Sequence, residues 1–320
     1  MIVCCGLVAS CAEESETLPK VSAVPTTAIQ SAGGWPDVIV AERNKFLPEG
    51  VEYDQQGARF LVGSLREGSV YLLERDGSLT PFVEDSELVS SVGIEIDQQR
   101  GRLLVANSDS SIFGGSGTGQ AKLGVFDLKT GTRLAMVDLA ATLEDRTAET
   151  VVFANDVTVD DRGTIYVSDT RARVIYRVDQ DYKASVFHRF AKTTDFAPNG
   201  LVYHPSGFLL IAGGEELYKL SLDEAGDASN RASRVQISEA ISGADGIVWR
   251  SDGELAIVAN RINRVVVLES NDDWTSASLV GAAAYEVMAT TVAVVGDELY
   301  VVHPHFRDDG LPSVERVEVR

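Results

Sequence analysis

Four side chains with a carboxylate or amide group occupy the same position in different copies of a recurring six-residue phrase. The copies begin with Glu49, Val92, Asn155, Asn199, Asp245 and Thr290. Carboxylate and amide oxygens are ligands of hard divalent cations such as Ca²⁺, with Mg²⁺, Mn²⁺ or Zn²⁺ as alternatives. Because Asn-Gly and Asp-Gly are also common turn dipeptides, any one of these residues alone would indicate only a turn. Four in one set predict a metal site, provided that the fold brings the copies together.

The elements that must position these residues are six β-hairpins. Each phrase alternates apolar and polar residues, as in Val51-Glu-Tyr-Asp54, and is followed by a glycine and a second apolar strand. Most phrases recur at intervals of about 45 residues, which is the spacing of a β-propeller blade with four antiparallel strands. One interval is longer because it holds two insertions, at residues 108–120 and 142–154. The sequence therefore predicts an all-β fold, a six-bladed β-propeller over residues 36–320.

A propeller also has to close, because open edge strands favour pairing with other chains. The last repeat supplies only three strands, so we predict that an N-terminal strand at residues 37–41 completes the sixth blade. In a propeller the innermost strand of each blade runs along the central channel. The first residues of the six phrases should consequently lie at one mouth of this channel.

The N-terminus indicates a lipoprotein. All three cysteines, Cys4, Cys5 and Cys11, lie in the first eleven residues, and the run that ends at Cys11 resembles a bacterial lipobox with Cys11 as the lipid attachment site. We interpret residues 1–11 as a truncated lipoprotein-type signal segment and residues 12–35 as a flexible tether. The alternative is a short buried strand. The expected location is the bacterial cell envelope, lipid-anchored, on the periplasmic side of the outer membrane in a Gram-negative host.

The composition excludes several functions. Of 320 residues, 48 are acidic and 28 basic, and the formal net charge of -20 repels nucleic acids. No later segment approaches the ~18 apolar residues of a membrane span, so membrane contact is expected only through the lipid anchor. Without cysteine after residue 11 the propeller has no thiol nucleophile. We expect a monomer with a small-molecule partner.

Two further residues are candidate accessories to a site. His303 follows a strand of the sixth blade and could either shuttle protons at the mouth or pack. Asp169 ends a hairpin of the third blade and could either orient the site or cap a turn. The glycine-rich run 114–119 lacks the Lys-Ser/Thr ending of a phosphate-binding loop, and we interpret it as a flexible insertion near the mouth.

Four phrases resemble the metal-ligand motifs of the senescence marker protein, regucalcin and gluconolactonase family. They read Pro48-Glu-Gly-Val51, Phe153-Ala-Asn-Asp-Val157, Pro198-Asn-Gly-Leu201 and Ala244-Asp-Gly-Ile247, in the order and blade spacing of that family. The resemblance implies that Glu49, Asn199 and Asp245 bind one divalent cation, with Asn155 on its water and substrate side. It also implies lactone hydrolysis, in which the cation polarises the carbonyl and binds water while Asp245 acts as general base.

Two positions depart from the sugar lactonases of that family. Phe153 stands where they carry Arg, and Arg173 aligns near one of their Glu residues. The sugar-binding half of the site is thus not recognisable, and a more apolar lactone or ester fits what remains. We predict a divalent-metal-dependent hydrolase of a small lactone or ester. The alternative is a non-catalytic propeller whose ion stiffens the channel while its loops bind a ligand or protein.

Overall fold

The computed structural model describes residues 34–115, 117–191, 195–223 and 231–320. The predicted signal segment 1–11, including Cys11, and the tether up to residue 33 lie outside the described residues. Within these ranges no helix is long and apolar enough to cross a membrane.

Six antiparallel sheets form the six blades, each blade running from an inner strand at the channel to an outer strand. Strands are numbered along the chain, and within each blade they follow from the inside outwards. Blades one to three consist of β2 (Val51–Asp54), β3 (Arg59–Gly63), β4 (Val70–Leu73) and β5 (Leu79–Val83); β6 (Ser90–Asp97), β7 (Arg102–Ser108), β8 (Ala121–Asp127) and β9 (Arg133–Asp138); and β10 (Ala154–Val159), β11 (Ile165–Asp169), β12 (Val174–Val178) and β13 (Ala184–Arg189).

The second half of the ring follows the same plan. Blades four to six consist of β14 (Leu201–His204), β15 (Phe208–Gly213), β16 (Glu216–Ser221) and β17 (Ala232–Arg234); β19 (Ala244–Trp249), β20 (Leu255–Ala259), β21 (Arg264–Glu269) and β22 (Ser276–Ala284); and β23 (Val292–Val295), β24 (Glu298–His303), β25 (Ser313–Val317) and β1 (Val38–Val40). Each inner strand contacts the inner strands of both neighbouring blades, and β23 contacts β2, so the ring is complete. The predicted six-bladed propeller is confirmed.

The N-terminal strand closes the sixth blade as predicted. Strand β1 pairs antiparallel with β25, with Val38 opposite Glu315. Arg316 Nε donates a hydrogen bond to Asp37 Oδ1 at 2.7 Å beside this pairing. Ile39 is buried in a hydrophobic cluster shared by blades one and six. The first and last strands of the described residues are therefore joined in one sheet.

Blade five departs from the four-strand pattern. A short strand, β18 (Gln236–Ile237), adds parallel to β22 with Gln236 opposite Ser276. Two residues are too few for an alternation pattern, which is why the sequence does not predict this strand.

The core is formed by packing of blade against blade. Second strands are buried on both faces, as in Leu103, Leu104 and Val105 of β7, because each lies between two neighbouring sheets. Two 3₁₀ helices occur in the described residues: η1 (Ser110–Gly114) lies in the first predicted insertion, between β7 and β8, and η2 (Ala140–Thr142) follows β9 and ends where the second predicted insertion begins. The packed sheets thus support the loops that connect them.

The inner strands lie very close together where they begin, and we call this end of the channel the mouth. A Cβ atom at Gly93 would overlap Asp156 Oδ1 and lie 2.7 Å from the carbonyl oxygen of Asn155. Glycine at this second position of the phrase therefore allows adjacent inner strands to approach each other. Such proximity brings the first residues of the phrases toward one another.

Candidate metal centre

The predicted ligands lie where the inner strands begin. Asp245 lies within β19, and Glu49 and Asn199 each precede an inner strand by two residues. The backbone N–H of Asn199 donates to the carbonyl of Ala212 at 2.8 Å, which extends the hairpin register to this residue. Thr290 Oγ1 donates to the carbonyl oxygen of Glu49 at 2.8 Å and so joins blade six to blade one. Hydrogen bonds that involve main-chain atoms therefore hold the first residues of the phrases, a set of six positions that we call the ring.

Glu49, Asn199 and Asp245 are brought together by this arrangement. Glu49 and Asp245 are 8% and 5% exposed. Burial raises the pKa of Glu49 well above its usual value, and the nearby Asp245 carboxylate raises it further. Burial also raises the pKa of Asp245, to about 7, although hydrogen bonds from Asn260 and Asn199 act in the opposite direction. The two carboxyls thus repel each other in a site with little solvent.

A divalent cation fits this donor set. Among the described residues neither Glu49 nor Asp245 forms an ion pair with a basic side chain, and buried carboxylates without compensation are costly. The described part contains no group of three or more His, Cys, Asp or Glu side chains that could hold a metal. The third predicted donor, Asn199, is an amide. Asn199 donates its amide N–H to Asp245, and its side-chain oxygen remains an acceptor for a cation.

Asn155 lies beside this group and is oriented by a neighbouring hydroxyl. Its Nδ2 donates to Thr170 Oγ1 at 2.8 Å, and Thr170 donates in turn to the carbonyl oxygen of Pro198 at 2.8 Å. Pro198 directly precedes Asn199, so the chain of hydrogen bonds links blade three to Asn199, the predicted ligand of blade four. Because the amide nitrogen is bound to Thr170, the amide oxygen of Asn155 is the end available to a ligand or water.

Two residues of this region are not predicted by the sequence pattern. Asn260 follows β20 and donates from Nδ2 to Asp245 Oδ2 at 2.7 Å. Asp156 accepts hydrogen bonds from the backbone N–H groups of Val157 and Leu201 at 2.9 and 3.2 Å, and burial raises its pKa to about 7. The signal for Asp156 was its position, because four of the other five phrases have glycine there.

The carboxylate of Asp169 is occupied by hydrogen bonds within blade three. It accepts hydrogen bonds from the backbone N–H groups of Phe153, Arg171 and Ala172 at 2.9, 3.0 and 2.7 Å, and from the Tyr176 hydroxyl at 3.1 Å. The carboxylate therefore binds the turn of its own hairpin to the start of β10. Of the two roles considered for Asp169, the contacts favour the turn cap, which also holds the strand that carries Asn155.

His303 is buried, at 1% exposure, and packs edge-to-face against Tyr285 with ring centroids 5.4 Å apart. Its Nδ1 lies 3.3 Å from the carbonyl oxygen of Met288. Its Nε2 lies 3.1 Å from Glu315 Oε2, but without the direction of a hydrogen bond. Glu315 belongs to β25, on the outer side of β24, so His303 is a packing residue between strands rather than a member of the ring.

Below the ring, more carboxyl groups line the channel. A cavity of about 180 Å³ is bounded by inner strands of all six blades and contains the side chains of Glu52, Glu95 and Asp156. Burial raises the pKa of Glu52 to about 8 and also raises that of Glu95, and each is raised further by carboxylates of the same group. A larger cavity of about 640 Å³ lies between turns at the far ends of blades three and four and contains no ring residue.

The sequence match agrees with this geometry. Residues 47–302, which include all of the predicted ligands, match the family described as the SMP-30/gluconolactonase/LRE-like region. The chain belongs to this family. No curated protein is significantly similar to it in sequence.

Solved structures share the propeller of this SMP-30/gluconolactonase/LRE-like protein. The Malassezia sympodialis allergen Mala s 1 is 19% identical, with a TM-score of 0.74 over 88% of this chain and 96% of that chain. A gluconolactonase from Xanthomonas campestris is 15% identical, with a TM-score of 0.60 over 90% and 92%. Virginiamycin B lyase from Staphylococcus aureus is 13% identical, with a TM-score of 0.58 over 88% and 87%. At these identities the similarity establishes the fold alone.

The two positions that depart from the sugar lactonases of the family are structural here. Phe153 is 3% exposed and belongs to the largest hydrophobic cluster. Arg173 lies in the turn before β12 with φ of 56°, and its carbonyl oxygen accepts a hydrogen bond from Phe190 N at 2.9 Å. The position two residues before Asn155 therefore holds a buried aromatic side chain instead of a cationic one.

Proposed function

We propose that this SMP-30/gluconolactonase/LRE-like protein hydrolyses a small lactone or ester, using a divalent cation bound at the mouth by Glu49, Asn199 and Asp245. One observation carries the proposal: two buried carboxyls with raised pKa values meet an amide where the inner strands begin. When bound, Ca²⁺ or a similar cation would polarise the substrate carbonyl and acidify water. The same positive charge would lower the pKa of both carboxyls and keep them ionised at neutral pH.

Asp245 is the general base in this proposal. Its carboxylate accepts a proton from the attacking water while the water oxygen forms a bond with the carbonyl carbon. The acyl C–O bond of the substrate then breaks, and the departing alkoxide takes up the proton, so that a lactone yields a hydroxy acid. Asn260 holds one carboxylate oxygen of Asp245 in place, and the amide oxygen of Asn155 orients the water or substrate.

Phe153 favours one other function, a propeller that binds a ligand without catalysis. Its ring replaces the cationic residue with which the family's sugar lactonases bind substrate, and a channel ion could then serve only to stabilise the fold. The two functions differ in whether bound ligand is consumed.

The deciding experiment is a hydrolysis screen of the full chain with γ-lactones, δ-lactones and aryl esters, with Ca²⁺ and with a chelator. We expect hydrolysis that is lost with the chelator, restored by Ca²⁺, and reduced by about 10²- to 10⁴-fold in Asp245→Ala. The matched control is Asp252→Ala, an exposed aspartate in the turn before β20, which should retain full activity. Activity that persists in Asp245→Ala would refute the mechanism, and Ca²⁺ binding without any hydrolysis would favour the non-catalytic function.

A further inference from the structure

A short helix carries an exposed aromatic side chain beside the mouth. Phe113, on η1, is 63% exposed, which is the largest exposure among the large apolar side chains of the described residues. The insertion that carries it is fixed at both ends. Ser110 Oγ donates to the carbonyl oxygen of Leu65 at 3.2 Å, and the N–H of Val152 donates to the carbonyl oxygen of Thr118 at 2.9 Å. Phe113 is thus held in place although its ring faces solvent.

The aromatic ring of Phe113 contacts Phe153, two residues before Asn155 in blade three. It packs edge-to-face against Phe153, with centroids 5.0 Å apart and planes at 69°. Phe153 precedes Asn155 by two residues, and Asp169 fixes its backbone N–H. On the other side, the Arg171 guanidinium lies 5.5 Å from the Phe113 centroid, and Arg171 directly follows Thr170, the partner of Asn155. Phe113, Phe153 and Arg171 therefore form one cluster, which is joined along the chain to Asn155 and to its partner Thr170.

Exposed apolar side chains are distributed unequally between the two faces of the propeller. In the described residues they lie either in loops at the mouth or on outer strands, and none lies in the turns of the opposite face. Those in mouth loops include Val89, Phe113, Val151, Ile262, Val287 and Phe306. Exposed apolar surface that is concentrated at a site entrance is typical of a ligand-binding surface.

We propose that the exposed ring of Phe113, supported from beneath by the buried Phe153, forms the subsite for an apolar substituent of the substrate, so that aryl- or alkyl-substituted lactones and esters are preferred to hydroxylated ones. This inference rests on the proposed function, because the reacting carbonyl has to lie at the ring. An apolar substituent removes the exposed face of Phe113 from water. Hydroxyl groups placed against the Phe113 ring would lose hydrogen bonds to water without replacement.

The inference is tested with a γ-lactone that carries a phenyl substituent and a γ-lactone that carries hydroxyl groups. We expect the wild-type kcat/KM to favour the phenyl-substituted lactone, and we expect Phe113→Ala to reduce that preference by about 10-fold, mainly through KM. The control is Leu134→Ala, which truncates an exposed side chain on the outer strand β9 and should leave the preference unchanged. A wild-type preference for the hydroxylated lactone, or an unchanged preference in Phe113→Ala, would overturn the inference.

A second measurement separates this inference from the proposed function. If neither these lactones nor the other lactones and esters of the screen are hydrolysed, the proposed function is wrong, and the subsite is then judged by calorimetric binding of the phenyl-substituted γ-lactam. Binding that is about 10-fold weaker in Phe113→Ala than in Leu134→Ala supports the aromatic subsite. Equal affinity of the two variants refutes it.

Discussion

Asn260 donates a hydrogen bond from Nδ2 to Asp245 Oδ2 over 2.7 Å, between two antiparallel strands of the fifth blade. Asn260 directly follows Ala259, and Ala259 is the pairing partner of Ala244, the residue before Asp245. The register of β19 and β20 therefore places the amide beside the carboxylate. Because the bond favours the ionised form, it lowers the pKa of Asp245 against the effect of burial.

Replacement of Asn260 should weaken the site without unfolding the protein. We expect Asn260→Ala to raise the pKa of Asp245, to shift the rising limb of the hydrolysis pH profile to higher pH, and to weaken Ca²⁺ binding by about 10-fold. The control is Asn263→Ala, in the same loop as Asn260. It removes the hydrogen bond that Asn263 Nδ2 donates to the carbonyl oxygen of Glu286. A pH profile identical to that of the control would show that Asn260 does not act on Asp245.

The carboxyls of the channel should make the cation-free protein less stable at alkaline pH. The pKa of Glu52 is raised to about 8 and that of Asp156 to about 7, so both bind protons more tightly in the folded chain than in the unfolded chain. This contribution is complete below their ordinary pKa values and is lost as the pH rises through about 7 to 8. In chelator, the free energy of unfolding should therefore fall between about pH 5 and pH 9.

The variant Glu52→Gln tests this dependence because it removes one of the ionising groups. We expect it to reduce the fall in the free energy of unfolding by about 1–2 kcal/mol, measured by urea unfolding in chelator at both pH values. Glu74→Gln, in an exposed turn of blade one, serves as the control. Equal pH dependence in the two variants would contradict a buried, ionising Glu52.

The close approach of the inner strands can be tested at Gly93. An added methyl group would overlap the Asp156 carboxylate and lie 2.7 Å from Asn155 O, so Gly93→Ala should cost about 1–3 kcal/mol of stability and disturb Asn155. No atom lies within 4 Å of a Cβ atom built at Gly114, and Gly114→Ala should therefore change stability by less than about 0.5 kcal/mol. Thermal unfolding of both variants decides between a tight and a loose mouth.

Closure of the ring depends on the N-terminal strand. Ile39 is 1% exposed in the cluster between blades one and six, and Ile39→Ala should destabilise the protein by about 2–5 kcal/mol. The neighbouring Val38 is 47% exposed, and Val38→Ala should have little effect. If urea unfolding shows equal losses for both, β1 is not an integral part of the sixth blade.

The fold could be predicted from the sequence because each blade repeats the same local pattern. The alternation in Val51 to Asp54 and the apolar second strands determine the hairpins, and β1 was expected from the strand missing in the sixth blade. The convergence of Glu49, Asn199 and Asp245 follows from the same logic, since equivalent positions in a propeller face one axis. Strand β18 could not be predicted because its pairing with β22 depends on tertiary contact.

The remaining parts of the site depend on directions that the sequence pattern does not determine. Asn260 lies outside the repeated phrase, and only the register of β19 and β20 brings it to Asp245. His303 was a candidate by type and position, but its ring packs toward β25. Phe113 lies in an insertion without repeat, so only its contact with Phe153 shows that it reaches the mouth.

The most direct test of a cation site at the mouth is calorimetric titration of the full chain with Ca²⁺, for wild type, Asp245→Ala and the control Asp252→Ala. We predict saturable binding at one site in wild type and in Asp252→Ala. In Asp245→Ala the loss of one of two buried carboxylates should weaken binding by at least about 100-fold. Equal affinity in Asp245→Ala, or the absence of binding to the wild-type protein, would contradict the metal centre.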